Sequence, residues 1–441
     1  MKPAIMGVGN AIWTGSGYGR QLFLLLTALK KRGYKVANLA WHGLHGTTLE
    51  YQGIPMYPGF AAGFGTDVIA GDAKHFGADL VLSLQDIWVL PNDYRDKCGG
   101  LPWMPMFPID TTPVAERNVE VAAASDYPVV YSRFGLQEMA NSGLPCTYIP
   151  HMVDMNVYKP GDKAEARKKL RIPKDAFVVS MVAANQGYPS RKAFPENIRA
   201  FKMFLDTHPE AFLRLHTQIN PPEGEGIIFS DLLSSLDIPH DRVSFCDQLM
   251  NANGLPDWYV ALTYQASDVV LNASRAEGFG LAIVEAQACG VPVITTNCTS
   301  MTELTVNGIC TEPLQPEWYS MGGFGAGSWH FIPSVERISK ALETIHDWSE
   351  KERTQNSERG VLFIKDNFEC ELVADKYWVP FLDKVGDEIE SGVTERKWLE
   401  RKAHIEAAYV LKDRLKELKD FTPKPYKQRE KPPETPKEPA K

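Results

Sequence analysis

Two glutamates stand eight positions apart around a glycine-rich turn in the second half of the sequence. Glu277 precedes the turn Gly278–Gly280, and Glu285 lies inside the apolar run Leu281–Cys289. The spacing of apolar residues predicts a strand over Val269–Leu271, then the turn, then a helix. A glycine turn that opens a helix presents backbone amides to an anion and suits a diphosphate.

The apolar surroundings of Glu285 require an explanation. Its neighbours Ile283, Val284, Ala286 and Ala288 predict burial. A buried carboxylate without a partner is costly, so it must meet a donor or a cation. The two hydroxyls of a ribose would serve. A loop cap or a basic residue in the core would serve equally well, and both interpretations stay open.

A second glycine-rich loop lies near the start of the chain. Gly15, Gly17 and Gly19 follow the predicted strand Ala4–Val8 and open a predicted helix. Such a turn lets the backbone approach a ligand closely, although it also fits a merely tight strand-to-helix connection. The spacing is not the G-x-G-x-x-G of dinucleotide-binding proteins, so the sequence gives little support for NAD binding.

Polar side chains follow predicted strands of the first half of the chain. Asp86 comes after Leu80–Leu84, Asp110 ends the strand region Met104–Ile109, and His151 lies near the expected domain junction. Ligands bind at the carboxyl ends of strands in open parallel sheets, so these three are candidates for an acceptor site. A turn-forming role for Asp110 and a structural role for His151 are the alternatives.

Length and composition narrow the class of protein. The chain has 441 residues, 44% of them hydrophobic, which predicts two domains. Strand-like apolar runs alternate with amphipathic helical runs, and this alternation predicts the α/β class with parallel sheets. The net charge of −8 argues mildly against a nucleic-acid partner. The seven cysteines include no C-x-x-C pair and favour a reducing compartment. No apolar run reaches the length of a membrane span, so we expect a cytoplasmic protein, with peripheral membrane contact left open.

Three motifs together resemble a known family. The sequence E-G-F-G-L-A-I-V-E over 277–285 is similar to the E-x7-E signature of family 4 of the retaining GT-B glycosyltransferases, the glycosyl transferases group 1. Tyr148–Pro160 resembles the run that ends the family's first domain, with Met152 in place of the usual glycine. Val182–Lys192 resembles its phosphate-contacting region. The likeness covers roughly residues 1–385.

The resemblance implies a role for each matching residue. Glu277 would contact the donor sugar, Glu285 would hold the ribose, and Arg191 and Lys192 would neutralise the diphosphate, which gains charge in the transition state. A solvated helix start is the alternative for the two cations. The remaining donor-binding candidates are Gly15, Gly17, Gly278, Phe279, Gly280, Leu281, His216 and Gln248.

Two further expectations concern charge. Ala184 stands where the family often has an arginine, so Arg191 or a basic residue of the first domain must supply that charge. The chain contains no D-x-D sequence and no cluster of ligands at zinc spacing. We therefore expect transfer without a metal and without a cofactor, with the nucleotide sugar as co-substrate.

The resemblance implies GT-B architecture, with two Rossmann-like domains facing a cleft. The expected segments are an acceptor domain at 1–155, a linker at 156–172, a nucleotide-sugar domain at 173–370, a returning helix at 371–390, a charged helix at 391–419 and a disordered tail at 420–441. Val373–Val385 would form the returning helix.

The expected function is retaining transfer of a hexose-type sugar from a nucleotide diphosphate to an acceptor. A glycan, a lipid, a protein or a modified nucleic acid remains open as that acceptor. The alternatives are a non-catalytic sensor or scaffold that binds nucleotide sugars, and a related GT-B phosphorylase or epimerase.

Overall fold

The computed structural model describes residues 1–187, 189–221, 226–252, 254–321 and 326–403. Met1–Glu395 form one compact unit, and the rest of the chain forms a second, described as far as residue 403. The strands of the first unit are β1 (Ile5–Asn10), β2 (Val36–His42), β3 (Leu49–Tyr51), β4 (Ile54–Pro58), β5 (Leu80–Leu84), β6 (Trp103–Phe107), β7 (Val129–Val130), β8 (Thr147–Tyr148), β9 (Phe177–Val182), β10 (Ala211–His216), β11 (Val243–Phe245), β12 (Val269–Asn272), β13 (Val293–Thr296), β14 (Ile309–Thr311), β15 (Pro316–Met321) and β16 (Ala326–Phe331).

Helices separate most of these strands. They are α1 (Gly17–Lys31), α2 (Ile69–Phe76), α3 (Tyr94–Lys97), α4 (Glu116–Ala123), α5 (Arg133–Asn141), α6 (Lys163–Leu170), α7 (Phe194–Leu205), α8 (Phe229–Ser235), α9 (Gln248–Ala252), α10 (Asp257–Ala266), α11 (Leu281–Ala288), α12 (Met301–Leu304), α13 (Val335–His346), α14 (Glu350–Asn367), α15 (Cys370–Val373) and α16 (Val379–Glu390). Short 3-10 turns lie at Gly63–Gly65, Ile87–Val89 and His240–Arg242, and a π-helical turn at Ala374–Trp378.

The first sheet has the strand order β3-β4-β2-β1-β5-β6-β7-β8. Its neighbours run parallel, except for the antiparallel pair of β3 and β4. We call this sheet with its helices the first lobe. Apolar side chains are buried on both of its faces, as expected for parallel strands that helices cover.

The second sheet has the strand order β11-β10-β9-β12-β13-β14, and every pair is parallel. We call this sheet with its helices the second lobe. Two successive parallel sheets confirm the predicted α/β class. Among the parallel strands of each sheet the order reverses once, between β1 and β5 in the first sheet and between β9 and β12 in the second. Ligand sites in open α/β sheets lie at such switch points, beyond the carboxyl ends of the strands.

Helix α1 shows how local sequence places one of these loops. Ser16 caps the helix by accepting a hydrogen bond from the Gly19 amide at 3.0 Å. Leucines at helical spacing, Leu22 and Leu26 among them, are fully buried against the first sheet. The glycine loop that precedes α1 is therefore held at the carboxyl end of β1.

The chain crosses between the lobes twice at neighbouring points. The Val153 amide donates to the Phe368 carbonyl at 2.8 Å, and Val153 forms a parallel bridge with Glu369. On the first-lobe side the Gln21 amide group donates to the Met152 carbonyl and accepts from the Met152 amide, both at 2.8 Å. Gln21 thus fixes the backbone where Met152 replaces the expected glycine.

The C-terminal helices of the first unit pack on the first lobe. Tyr34 donates to Asp383 of α16 at 2.9 Å, and the Met1 amino group lies 3.1 Å from Asp387. Arg32 pairs with Asp375 at 2.6 Å. The segment after the second crossing therefore returns to the first lobe.

Several elements differ from the sequence-based expectations. Residues 156–172 contain the helix α6, since Asp162 caps it and Leu170 is buried, so this segment is more than a linker. The hairpin β15–β16 and the helix α14 were not anticipated. Of the charged helix expected over 391–419, residues 393–403 are helical, and the remainder, with the tail at 420–441, lies outside the described residues. No helix in the described part of the chain combines the length and the apolar content needed to cross a bilayer.

Candidate active site

Glu277 is the centre of a charged cluster between the two lobes. It lies in the loop after β12 with its side chain only 4% exposed. Lys192 Nζ is 2.6 Å from Oε1, and Arg191 Nη1 is 3.2 Å from Oε2. Ser274 donates a further hydrogen bond to Oε1 at 2.7 Å. Burial alone would raise the pKa of Glu277, but the two cations and these hydrogen bonds lower it to about 2.

The loop that carries Glu277 is fixed by side-chain hydroxyls. The Glu277 amide donates to Thr299 Oγ1 at 3.1 Å. Ser300 Oγ lies 2.8 Å from the Glu277 carbonyl and 2.7 Å from the Phe279 carbonyl. Thr299 and Ser300 lie in the loop after β13, the strand next to β12. The loop after β13 therefore supports the turn after β12. Such support keeps the Glu277 carboxylate in one orientation.

The two glycines of this turn serve different purposes. Gly278 touches the first lobe, because a Cβ there would lie 2.4 Å from Cβ of Pro108. Gly280 has φ +102°, which side chains rarely adopt, and it begins α11 as its N-cap. The turn therefore needs glycine at 278 for lobe contact and at 280 for backbone conformation.

Arg191 is placed to face both lobes. It lies in the loop after β9, and its Nη1 donates to the Ala276 carbonyl at 2.8 Å. Its backbone carbonyl accepts from the Arg275 amide at 2.8 Å. Across the cleft, Asp110 Oδ2 is 3.8 Å from Nη1. The Arg191 side chain remains 40% exposed, so it can meet a ligand in the cleft, whereas Lys192 is 19% exposed.

Glu285 has a different environment on α11. The hydroxyl of Tyr264 on the neighbouring helix α10 donates to Oε2 at 2.8 Å. Burial raises the pKa of Glu285, and the positive charge of Arg20 partly opposes that shift. The partner sought from the sequence is therefore an internal tyrosine with a nearby arginine of the first lobe. A contact between Glu285 and a ribose stays a prediction.

The first-lobe glycine loop lies against the second lobe. A Cβ on Gly15 would be 3.0 Å from the Cα of Gly254, and one on Gly17 would be 3.0 Å from Cδ1 of Leu281. Arg20, just beyond, pairs with Asp257 at 2.7 Å and donates to the Leu255 carbonyl at 3.1 Å. The structure thus brings Gly15 and Gly17 to the second lobe, while their contact with a donor phosphate stays a prediction.

His216 and Gln248 are held by the protein itself. His216 ends β10, is buried, and has Nδ1 3.4 Å from Thr263 Oγ1, and burial lowers its pKa to about 3. The Gln248 amide accepts from the Ile219 amide at 2.9 Å and donates to the carbonyls of Thr217 and Cys246. Gln248 therefore links the loop after β10 to the loop after β11 by hydrogen bonds. Donor contacts from either residue stay predictions.

His151 lies in an aromatic cluster rather than on a polar surface. Its ring stacks on Tyr131 with centroids 4.0 Å apart, and meets Phe279 edge-on at 5.1 Å. Because it is buried, its pKa is lowered to about 3. A neutral ring packed in this way supports the turn that carries Phe279, which matches the structural alternative. An acceptor contact by His151 stays a prediction.

Asp86 and Asp110 lie at the carboxyl ends of the adjacent strands β5 and β6. The Tyr18 hydroxyl donates to Asp86 Oδ1 at 3.0 Å. Burial raises the pKa of Asp86, and the charge of Asp110 raises it further. The two carboxylates are therefore close enough to repel each other, on the first-lobe side of Arg191.

Glu303 joins the two lobes by a helix cap. Its Oε1 accepts hydrogen bonds from the amides of Arg133 at 2.8 Å and Phe134 at 3.2 Å, at the start of α5. Ser132 caps the same helix by accepting from the Gly135 amide at 3.0 Å. The negative charge thus sits at the positive end of a helix of the other lobe.

Sequence reasoning missed the residues that act through other side chains. They are Tyr18, Asp257, Tyr264, Ser274, Thr299 and Ser300. A weak signal existed for Ser274, which stands three positions before Glu277 in the same turn. The others come from distant parts of the chain, and no local pattern marks them. Among the described residues, no group of three or more His, Cys, Asp or Glu side chains could hold a metal ion.

Comparison with known proteins finds sequence similarity within the second lobe. Residues 223–319 match the family model of glycosyl transferases group 1. D-inositol 3-phosphate glycosyltransferase of Kribbella flavida is 35% identical over 162 residues, which cover 36% of each chain. The enzyme of the same name from Rhodococcus jostii is 37% identical over 159 residues, 35% of this chain and 33% of that protein. The match thus spans about a third of the length of these relatives.

Solved structures resemble nearly the whole chain. Sucrose-phosphate synthase from Thermosynechococcus elongatus superposes with a TM-score of 0.70 at 16% identity, covering 87% of this chain and all of the other. HepE from Anabaena, solved with UDP and glucose, gives a TM-score of 0.63 at 17% identity, covering 88% of this chain and all of HepE. These likenesses confirm the predicted GT-B fold.

Proposed function

Since residues 223–319 match the family model of glycosyl transferases group 1 and the chain has the GT-B fold, we propose that this protein transfers a hexose-type sugar from a nucleotide diphosphate to an acceptor, with retention at the anomeric carbon. The observation that supports this best is the cluster of Glu277, Lys192 and Arg191 at the cleft between the lobes. It combines a fixed carboxylate with two cations beside an amide-lined turn.

The cations are suited to the leaving group. When the bond between the anomeric carbon and the phosphate oxygen breaks, negative charge grows on the diphosphate. Arg191 lies at the cleft with 40% of its side chain exposed. Lys192 is less exposed and pairs with the Glu277 carboxylate. Their positions are set before a donor binds, so little reorganisation is needed when the charge develops. The amides at the start of α11 add a second source of positive potential.

Glu277 would accept hydrogen bonds from hydroxyls of the donor sugar. It stays ionised at neutral pH, since its pKa is lowered to about 2. In the retaining step, the acceptor oxygen bonds to the anomeric carbon on the face that the diphosphate leaves, and the acceptor proton passes to the departing phosphate oxygen. The protein's part is to hold both reactants and exclude water as the lobes close. This scheme uses no metal.

The first experiment is a thermal-shift screen with UDP, GDP and ADP sugars, because a ligand that binds only the folded state raises its melting temperature. The stabilising donor is then incubated with an acceptor library, and the release of nucleoside diphosphate is followed together with product masses. We expect one base to stabilise the protein and the sugar to move intact to an acceptor.

Variants connect the activity with the cluster. Glu277→Ala and Lys192→Ala should abolish transfer while the protein still folds. Lys202→Ala on the same lobe should retain transfer, since Lys202 of helix α7 pairs with the exposed Asp206 at the end of that helix. Wild-type turnover in Glu277→Ala would refute the proposed role. Donor binding without any release of nucleoside diphosphate would favour a sensor, and sugar phosphate or epimerised donor as product would favour a phosphorylase or an epimerase.

A further inference from the structure

The acceptor-side edge of the first sheet carries negative charge. Asp86 follows β5 and Asp110 follows β6, and these strands are neighbours with β5 at the point where the strand order reverses. Asp86 holds the Tyr18 hydroxyl at 3.0 Å, and Asp110 is 31% exposed beside Arg191. Both carboxylates therefore belong to the part of the cleft that faces the cluster around Glu277.

Positive side chains in the connections after β5, β6 and β7 already have partners. There are four of them along 85–102, 108–128 and 131–146. Arg95 pairs with Asp126 at 2.8 Å, Lys97 pairs with Asp93 at 3.4 Å, Arg117 bonds to Asn92 and to the Leu90 carbonyl, and the Arg133 guanidinium lies 5.0 Å from the centre of the Tyr148 ring. Three of these four bond to protein oxygens, and the exposed Arg133 lies over the Tyr148 ring within electrostatic reach of Glu303.

The backbone amides at the start of helix α5, at this edge of the sheet, also have hydrogen-bond acceptors within the protein. Free backbone amides at the beginning of α5 would form an anion site at the carboxyl end of β7. The amides of Arg133 and Phe134 instead donate to Glu303, and that of Gly135 donates to Ser132. A carboxylate of the second lobe thus occupies the place where a phosphoryl group would gain most from the helix dipole.

Arg191 does not offset the negative charge of Asp86 and Asp110. It stands between the two sides of the cleft, but Glu277 Oε2 is 3.2 Å from its Nη1 while Asp110 Oδ2 is 3.8 Å away. Under the proposed function it serves the donor diphosphate. With Arg191 so engaged, an acceptor phosphate beside β5 and β6 would meet two carboxylates, while Arg95, Lys97 and Arg117 of the connections after these strands are already bonded to protein oxygens.

We infer that the acceptor is a neutral polyhydroxyl compound, a sugar or a polyol, whose hydroxyls donate to Asp86 and Asp110, and not a phosphorylated one. Carboxyl oxygens accept hydrogen bonds from hydroxyls, and the negative charge that Asp86 and Asp110 bring to this edge repels phosphate. This inference rests on the proposed function and narrows its acceptor. It sets the chain apart from its curated relatives, whose names specify D-inositol 3-phosphate, and whose match covers only about a third of either chain.

The test compares acceptors that differ only by a phosphoryl group. With the donor found by thermal shift, transfer is measured to myo-inositol and D-inositol 3-phosphate, and to glucose and glucose 6-phosphate. Release of free sugar from the donor is recorded in parallel. We expect the neutral member of a pair to show a kcat/KM at least about tenfold higher, the size expected for hydrogen bonds to charged groups.

Variants assign the preference to the two carboxylates. Asp86→Asn with Asp110→Asn should lower kcat/KM for the neutral acceptor about tenfold and narrow the gap to the phosphorylated one, since a neutral amide no longer repels phosphate. Their melting temperatures show whether the variants fold. Asp93→Asn, which removes an exposed carboxylate of the same connection, should keep the wild-type preference.

Three outcomes would overturn the inference. They are preferred use of a phosphorylated acceptor, unchanged selectivity in the double variant, and donor hydrolysis without transfer to either neutral acceptor. Failure of every nucleotide sugar to bind or to be hydrolysed would instead count against the proposed function, because it concerns the donor side alone. The two failures are therefore distinguishable.

Discussion

Glu277 and Glu285 belong to one loop and helix, yet their environments differ. Both are nearly buried, with 3% and 6% of their surfaces exposed. Burial tends to raise the pKa of each, but that of Glu277 ends well below its usual value while that of Glu285 ends above it. Because burial is similar, the neighbours decide the result.

The two glutamates differ because they have different partners. Lys192 and Arg191 hold Glu277 as a fixed anion beside the cleft, where the proposed function requires it to orient a sugar and to share its cations with a diphosphate. Glu285 has the Tyr264 hydroxyl as its direct partner and a cation only at longer range. Two glutamates of one sequence motif thus differ in how readily they ionise.

The largest expected effect follows removal of the anion. Glu277→Ala leaves Lys192 and Arg191 without their partner, so transfer should fall by at least about 100-fold, the loss seen when a preorganised electrostatic contact is removed. The same change should lower the free energy of unfolding by about 1–3 kcal/mol, because a mostly buried cation loses its hydrogen-bond acceptor. Steady-state kinetics and urea unfolding measure the two effects. A fully active and equally stable variant would contradict this account.

Glu285→Gln should separate binding from stability. Since the folded state resists ionisation of Glu285, the stability that its protonated form contributes is lost as pH rises through its raised pKa. Glutamine cannot ionise, so the melting temperature at pH 7 should stay level or rise. Donor affinity should still weaken about tenfold if the carboxylate holds the ribose.

Tyr264→Phe is the matched control for that prediction. It removes the hydroxyl that donates to Glu285 and leaves the carboxylate in place. We expect lower stability than in Glu285→Gln, because Glu285 then loses its hydrogen-bond donor while it remains buried. Differential scanning calorimetry at pH 7 compares the melting temperatures of the two variants. A sharply lower melting temperature for Glu285→Gln would contradict the prediction.

Acid unfolding should reveal the opposite sign at Glu277. Its pKa is lowered from 4.5 to about 2 in the folded protein, so the stability it contributes is complete above pH 4.5 and is lost as pH falls toward 2. In Glu277→Gln this dependence disappears, and stability should decline less steeply over that range. Urea midpoints measured between pH 6 and pH 2.5 test the slope, and parallel curves would contradict it.

Glu303→Ala should give the smallest effect, because this carboxylate neither pairs with a cation of the cluster nor lies in the turn. Loss of a helix cap costs about 0.5–2 kcal/mol. Since the cap spans two lobes, we expect faster hydrogen exchange at the amides of Arg133 and Phe134 and a reduction of transfer by a few fold. Exchange unchanged at both amides would show that the contact does not hold the lobes.

The sequence predicted the elements of the site better than their connections. Apolar periodicity located β12 and α11, because their patterns are local. Glu277, Arg191 and Lys192 were identified through the family resemblance, and the structure brings them together.

What the sequence could not supply were contacts set by tertiary packing. Tyr264 reaches Glu285 from another helix, and Ser300 holds the turn from 23 positions away. Met152 replaces a glycine, and its environment depends on Gln21, 131 positions earlier. Nothing in the neighbouring residues encodes such pairs.

The paired crossings at Val153 and Glu369 restrict how the molecule can open. Two segments that run side by side between the lobes permit swinging about a shared axis but resist sliding. Opening would therefore separate Gly278 from Pro108 and Gly15 from Gly254 while the bond from the Val153 amide to the Phe368 carbonyl persists. Those two contacts involve glycine backbones and a rigid ring, so they can re-form without resetting side-chain rotamers, whereas the pair of Arg20 with Asp257 must break and re-form at each opening.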